Sequence, residues 1–223
     1  VTARLVGFDL ALPQDWVVLP HVVPDVDRWA RETAQSLVRR SGGAPAAADE
    51  AAGPGREALG RDALIDPAEA LADGIAGVAR TVAEAGVTGM EAAFLVRRPD
   101  LGRLDAMLTL VAQQGLSAEA FGADLERVVA DGGENQLVAT EVRGDVPAGA
   151  VRGLHLMIGH AVPDLGEGVA HLEERVSLGV FPPDSADMVE VTAIANGVGA
   201  FDDLPQAVLD LLTGLTIETE VAA

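Results

Sequence analysis

At 223 residues the chain has room for one large domain or two small ones, and it can bury enough apolar surface to fold without disulfides or metals. Its 35 acidic residues against 15 basic ones leave few cations to neutralise phosphates, which argues against a nucleic-acid partner, and no stretch reaches the ~20 continuous apolar residues of a membrane span. The absence of Cys removes thiolate nucleophiles and Cys-ligated zinc.

Residues 5–12 place Val6, Phe8, Leu10 and Leu12 on one alternating face, and a turn at Pro13-Gln14-Asp15 leads into a second short strand from Trp16 to Leu19. From Asp25 to Arg40 the apolar positions Val26, Trp29, Ala30, Leu37 and Val38 recur at helical spacing. Residues 41–63, rich in Gly, Ala and Pro, carry no apolar stripe and are expected to be a flexible connection. Within them Gly53-Pro54-Gly55-Arg56 lacks the Lys and Ser/Thr of a phosphate loop and the preceding strand of a dinucleotide fold.

The next helix has explicit start and stop signals: Asp66 at N-cap, Pro67 at N1, Glu69 at N3, then Leu71, Ile75, Val78 and Val82 before Gly86. Two apolar runs, 90–96 and 104–111, read as a buried hairpin whose tip carries Arg97, Arg98 and Arg103. Ser117 caps a third helix with Ala120, Phe121, Leu125, Val128 and Val129 as its stripe, and Asp131-Gly132-Gly133 ends it. Four strands follow over 136–142, 151–162, 169–181 and 188–195. Asp202 and Asp203 then precede a terminal helix with Leu204, Val208, Leu211, Leu212 and Leu215 on its apolar side.

Short connections between successive strands favour antiparallel pairing, and the amphipathic helices must cover the sheet. The expected class is α+β: a single domain over 1–223, a mainly antiparallel central sheet flanked by amphipathic helices in an α/β/α sandwich. The hydrophobic share of 49% is supplied mainly by Ala, Val and Leu, with two Trp, five Phe and no Tyr, so the core must pack small side chains closely. Trp16 and Trp29 are read as core anchors. Every basic residue is Arg, which we read as the codon usage of a GC-rich, actinobacterial-type genome. The opening Val1-Thr2-Ala3-Arg4 lacks a charged and then apolar leader, so a cytoplasmic protein is expected; removal of a targeting segment would leave the same pattern.

The strand and Leu-Pro-x-x-Trp turn in Phe8-Asp9-Leu10-Ala11-Leu12-Pro13-Gln14-Asp15-Trp16 resemble the start of the Mog1/PsbP/LpqN-like superfamily. The strand Val176-Ser177-Leu178-Gly179-Val180-Phe181-Pro182-Pro183, a further strand and the helix over 204–215 are similar to its end. The resemblance covers about a third of the chain through short, mostly structural motifs. It implies an antiparallel sheet flanked by helices that serves as a protein-binding or assembly module, and it carries over no catalytic residue. The long connection and the middle hairpin depart from that pattern.

Chemistry is sparse in this sequence. His155, His160 and His171, with Asp164 and Glu167 between the last two, offer imidazole and carboxylate ligands of the kind zinc or manganese takes. However, His155 and His160 differ by an odd number, so a regular strand sends them to opposite faces. None of the five serines lies in a nucleophile elbow, and Glu173 and Glu174 are adjacent and so face apart. Arg97, Arg98 and Arg103 form the local basic patch suited to an acidic partner surface or a carboxylate. The expectation is a non-catalytic interaction or assembly module of a bacterial multiprotein system, without cofactor, whose partner is another protein or itself. The alternatives are a small-molecule-binding or metal-assisted enzyme using the His155, His160 and His171 region, and a secretion-accessory chaperone.

Overall fold

The computed structural model describes residues 3–42, 66–131, 136–161, 170–197 and 199–221. The chain divides into two compact units, one from Val1–Leu19, Val87–Leu95 and Asp105–Ala223, the other from Pro20–Gly86 and Val96–Leu104. In the first unit, β1 (Ala3–Leu10) pairs antiparallel with β9 (Leu215–Val221) as a two-stranded sheet. Seven strands form the main sheet: β2 (Trp16–Val18), β3 (Glu91–Leu95), β4 (Ala106–Gln113), β5 (Gln136–Val146), β6 (Gly149–Ala161), β7 (Ala170–Phe181) and β8 (Met188–Ala195). Their order is β2-β3-β4-β8-β7-β6-β5, every neighbour antiparallel. The helices of this unit are α3 (Ala118–Asp131) and α4 (Leu204–Leu212). The protein is thus an α+β fold with an antiparallel sheet and flanking helices, as the element pattern predicts.

Period-two alternation divides the main sheet into two buried faces. Leu108, Leu110, Val151, Val176, Leu178, Val180, Val189 and Val191 pack with Leu5 of β1, Leu215 of β9 and the stripe Leu204, Val208 and Leu212 of α4. On the opposite face Leu154, Leu156 and Met188 pack with Phe121 and Leu125 of α3, and the Phe121 and Phe181 rings meet at 5.7 Å. Trp16 packs against the first cluster, as expected of an anchor. Small residues permit close strand approach: a Cβ on Gly153 would lie 2.0 Å from the Ser177 carbonyl oxygen.

Three local readings change. In β1 the register shifts between Leu5 and Gly7, so Val6 is the extra residue of a bulge and is 53% exposed, while Leu5 turns into the core ahead of Phe8 and Leu10. Val128 and Val129 of α3 are 47% and 41% exposed, so the buried stripe of that helix ends at Leu125. Leu215 belongs to β9, a strand absent from the expected order: α4 ends at Leu212 and the chain turns at Gly214. A run such as Thr-Ile-Glu-Thr-Glu-Val carries little apolar signal, because β9 draws its stability from pairing with β1. The end of α3 at 132–133 and the connection at 43–63 lie outside the described residues.

One buried carboxylate ties this unit together. Asp187, 1% exposed, accepts from Arg4 Nε at 2.8 Å and Leu5 N at 2.9 Å through one oxygen, and from Gly115 N at 2.8 Å through the other. Burial pushes its carboxyl upward, but the bond from Arg4 and those from the two amides outweigh it and hold the group below its ordinary value.

In the second unit α1 (Val26–Ser41) packs against α2 (Pro67–Ala85). The ion pair between Asp27, at the start of α1, and Arg80, near the end of α2, shows that the two run antiparallel. Ala30 and Ala34 of α1 and Ala72, Ala76 and Ala79 of α2 are buried, the small residues that let axes come close. Asp25 and Asp66 cap the two helices through bonds of 3.0 Å each, and Gly86 closes α2 at φ 62°.

Asp187→Ala removes the acceptor of the Leu5 and Gly115 amides and of the Arg4 guanidinium, and the expected loss in urea unfolding is about 3 kcal/mol. Because the folded value is depressed, this stabilisation is present above the unfolded carboxylate value and fades as pH falls through the folded one. Acid unfolding curves of Asp187→Asn should therefore be flatter than wild type at that end; parallel curves would contradict the assignment.

Candidate functional site

The arginines of the hairpin tip lie in the second unit, at a 3-10 turn over Pro99–Leu101. Gly102 follows at φ 65°, and a Cβ there would come within 3.0 Å of Pro67, so both conformation and space require glycine. Arg97, Arg98 and Arg103 are all exposed. Arg98 closes its guanidinium onto Asp100, Nε to Oδ1 at 3.1 Å and Nη2 to Oδ2 at 3.0 Å, and this bond leads the effects that hold the Asp100 carboxyl below its ordinary value. The fork that would grip an acidic partner is occupied by a neighbour two residues away.

The histidines separate by strand parity. His160 and His171 are direct cross-strand partners, their rings stacked at 6.3 Å and 27°. His160 Nε2 lies 3.1 Å from Glu173 Oε2, and Arg175 bridges the other Glu173 oxygen at 2.6 Å. His155, five residues earlier on β6, shares the opposite face with Val151. Among the described residues no three His, Asp or Glu side chains are placed to hold a metal ion. Asp164 and Glu167 lie outside the described residues.

His155 contributes to an open groove of about 470 Å³ with Thr140, Val142, Glu174 and the start of α4 at Asp202, Asp203 and Leu204. Thr140 is its cross-strand partner on β5. Glu174 Oε1 lies 2.9 Å from His155 Nε2, with both side chains largely buried. Such a carboxylate fixes the imidazole ring and leaves Nδ1 as the second proton-exchanging position. Asp203 is committed locally, since its Oδ1 accepts from Gln206 N at 2.9 Å as the cap of α4.

On the other face, α3 and β5 border a groove of about 280 Å³ lined by Leu125, Val129, Ala130, Ala139, Leu154 and Arg152. Arg152 reaches it because Gly122 has no side chain: a Cβ at Gly122 would sit 2.2 Å from Arg152 Nη1. The guanidinium donates to Glu141 Oε1 at 3.2 Å and approaches Glu126 of α3 at 3.5 Å. Arg143 donates to the same Glu141 oxygen at 2.7 Å, and this bond is the main reason the Glu141 carboxyl lies below its ordinary value. Val129, which lines this groove, is exposed, as are Val128 of α3 and Leu137 at the start of β5, whereas Val138, paired with Met157, belongs to the opposite face.

No protein-family model matches this chain, and no curated protein matches it in sequence. The α3–β5 groove escaped sequence reasoning because Val128 and Val129 fit the helical period of a buried stripe, and because Arg152 and Glu141 meet only through strand pairing. One signal was present, an Arg inside the apolar run from Val151 to Met157.

His155→Ala leaves the Glu174 carboxylate without its hydrogen-bond partner in a buried position, and the expected cost is about 2 kcal/mol in urea unfolding. Glu174→Gln keeps a hydrogen-bonding group there and should cost under about 1 kcal/mol. Equal losses for the two variants would show that the contact acts through packing alone.

Proposed function

We propose that this chain is a non-catalytic protein-interaction or assembly module of a bacterial multiprotein system, and that its partner, another protein or a second copy, docks along the α3–β5 side. The observation that carries this reading is the α3–β5 groove, where exposed Val129 stands with Leu125, Ala130, Ala139 and Leu154 beside the charged line of Glu126, Arg152 and Glu141, with Val128 and Leu137 also exposed on the same two elements. Contiguous apolar side chains rimmed by charge are what partner surfaces present, and a folded monomer gains nothing by exposing them. The resemblance of the two chain ends to the Mog1/PsbP/LpqN-like superfamily supports the same class of role. The test is affinity capture from the native cells with wild type, Val129→Glu and Leu137→Asp as bait. A stoichiometric partner, or the chain itself, should be retained by wild type and lost by both folded variants; equal capture by all three would refute the reading.

A second reading has its own observation. The Glu174-oriented His155 faces the groove at the start of α4, an arrangement suited to binding or proton exchange with a small molecule. Perturbation of the His155 ring signals by small amines or hydroxylated compounds, absent in Glu174→Gln, would favour it.

A further inference from the structure

β5 is the last strand of the seven-stranded sheet, and among the described residues it pairs only with β6. The opposite edge, β2, is three residues long, whereas β5 runs for eleven. Proteins blunt long edges with charged side chains, Pro, bulges or short strands, since unpaired N–H and C=O groups invite another chain. β5 contains no Pro, its charges are of both signs (Glu141, Arg143 and Asp145) and so can be matched by an opposing strand, and its one irregularity lies at its very start, between Gln136 and Val138. Residues 138–146 are therefore a regular edge, and Thr140, Glu141, Arg143 and Asp145 along it are exposed.

Resting on the reading of this side as an interface, we infer that the partner is a second copy of the chain, joined by antiparallel β5–β5 pairing about a two-fold axis at Val142. A two-fold axis normal to the sheet keeps each side chain on its own face, so symmetric partners must differ by an even number of residues. Glu141 and Arg143 differ by two, and centring on Val142 sets Glu141 of each copy opposite Arg143 of the other. The same register sets Val138 opposite Val146 twice and Thr140 opposite Gly144. Centring on 141 or 143 instead opposes Glu141 to itself or Arg143 to itself, which directly opposed like charges disfavour. Centring on 144 pairs Arg143 with Asp145 but shortens the overlap to residues 142–146.

Glu141 and Arg143 pair within β5 through one guanidinium nitrogen and one carboxylate oxygen, so the dimer trades this contact within the strand for two across the axis. Glu141 and Arg143 side chains are 42% and 66% exposed, and Arg152 stays behind Glu141 in each copy, so the axis is crossed by an alternating Glu–Arg–Glu–Arg arrangement. The net charge of -20 per chain opposes association over long range, but at physiological ionic strength screening acts within about 8 Å. Contacts at the strand edge are shorter than that.

Sedimentation and light scattering at 150 mM salt, from micromolar to hundreds of micromolar protein, test the inference, with circular dichroism confirming folding. Wild type should weigh twice its 22.9 kDa. E141R and R143E should each be folded monomers, shifting the dimerisation midpoint at least tenfold, and E141R/R143E should recover the dimer because the exchange restores self-complementarity. E141R also separates the registers, since centring on 144 does not oppose Glu141 to a charge. A monomeric wild type, a dimer that survives E141R, or a double variant that stays monomeric would overturn the proposal. A monomer that still captures a partner through Val129 and Leu137 would overturn the second copy alone and leave the interface reading intact.

Discussion

The carboxylate of Asp187 has no exposure to water, yet it sits where three separate stretches of chain converge: β1 through Arg4 and Leu5, the turn before α3 through Gly115, and its own approach to β8. A buried charge is tolerated only when its lone pairs are filled, and here one guanidinium and two backbone amides fill them. The bonds to Arg4 and Leu5 hold the two-stranded sheet against the larger one, and the bond to Gly115 sets the point from which α3 departs. Both grooves of this unit lie downstream of that constraint. The apolar one needs α3 in place beside β5; the polar one needs the face that β1, β9 and α4 share.

The α3–β5 side shows how small residues and charge combine in a protein with few aromatics. Gly122 removes a side chain from α3 where it crosses β6, and the Arg152 guanidinium occupies the space. Arg152 then meets Glu141 and Glu126, which line the same groove, so the cation is compensated without being sealed from solvent. Exposed ion pairs of this kind add little stability. Their consequence is directional: they set an alternating charge pattern along the sheet edge, which in the proposed interface an opposing surface has to match. Val129 and Ala130 of α3 border the same groove as Ala139 of β5, and Val128 and Val129 remain exposed.

Much of the fold was legible in particular residues. Asp66, Pro67 and Gly86 bracket α2 because an N-terminal acceptor, a preset φ and a left-handed stop act locally. His155 and His160 were expected on opposite faces from their odd spacing, and strand geometry places them so. The failures have equally local causes. Val6 follows the alternation of its neighbours, but a bulge, which depends on the partner strand β9, turns it outward. Val128 and Val129 satisfy the period of a buried stripe, yet both stand exposed, Val129 at the open groove between α3 and β5.

The sequence by itself determined the class: period-two runs with short connections, capped amphipathic helices, and a composition with no Cys and 35 acidic against 15 basic residues, which leaves no disulfide and argues against a polyanion partner. These are properties of neighbouring residues or of simple sums, so no long-range information is needed to read them. Tertiary structure alone decided that β9 pairs with β1 across the whole chain, that Asp187 is a junction rather than one more surface acid, and that Arg152, Glu141 and Gly122 form one site. Those outcomes rest on contacts between residues far apart in sequence, and burial and strand order, which no local pattern encodes, select them.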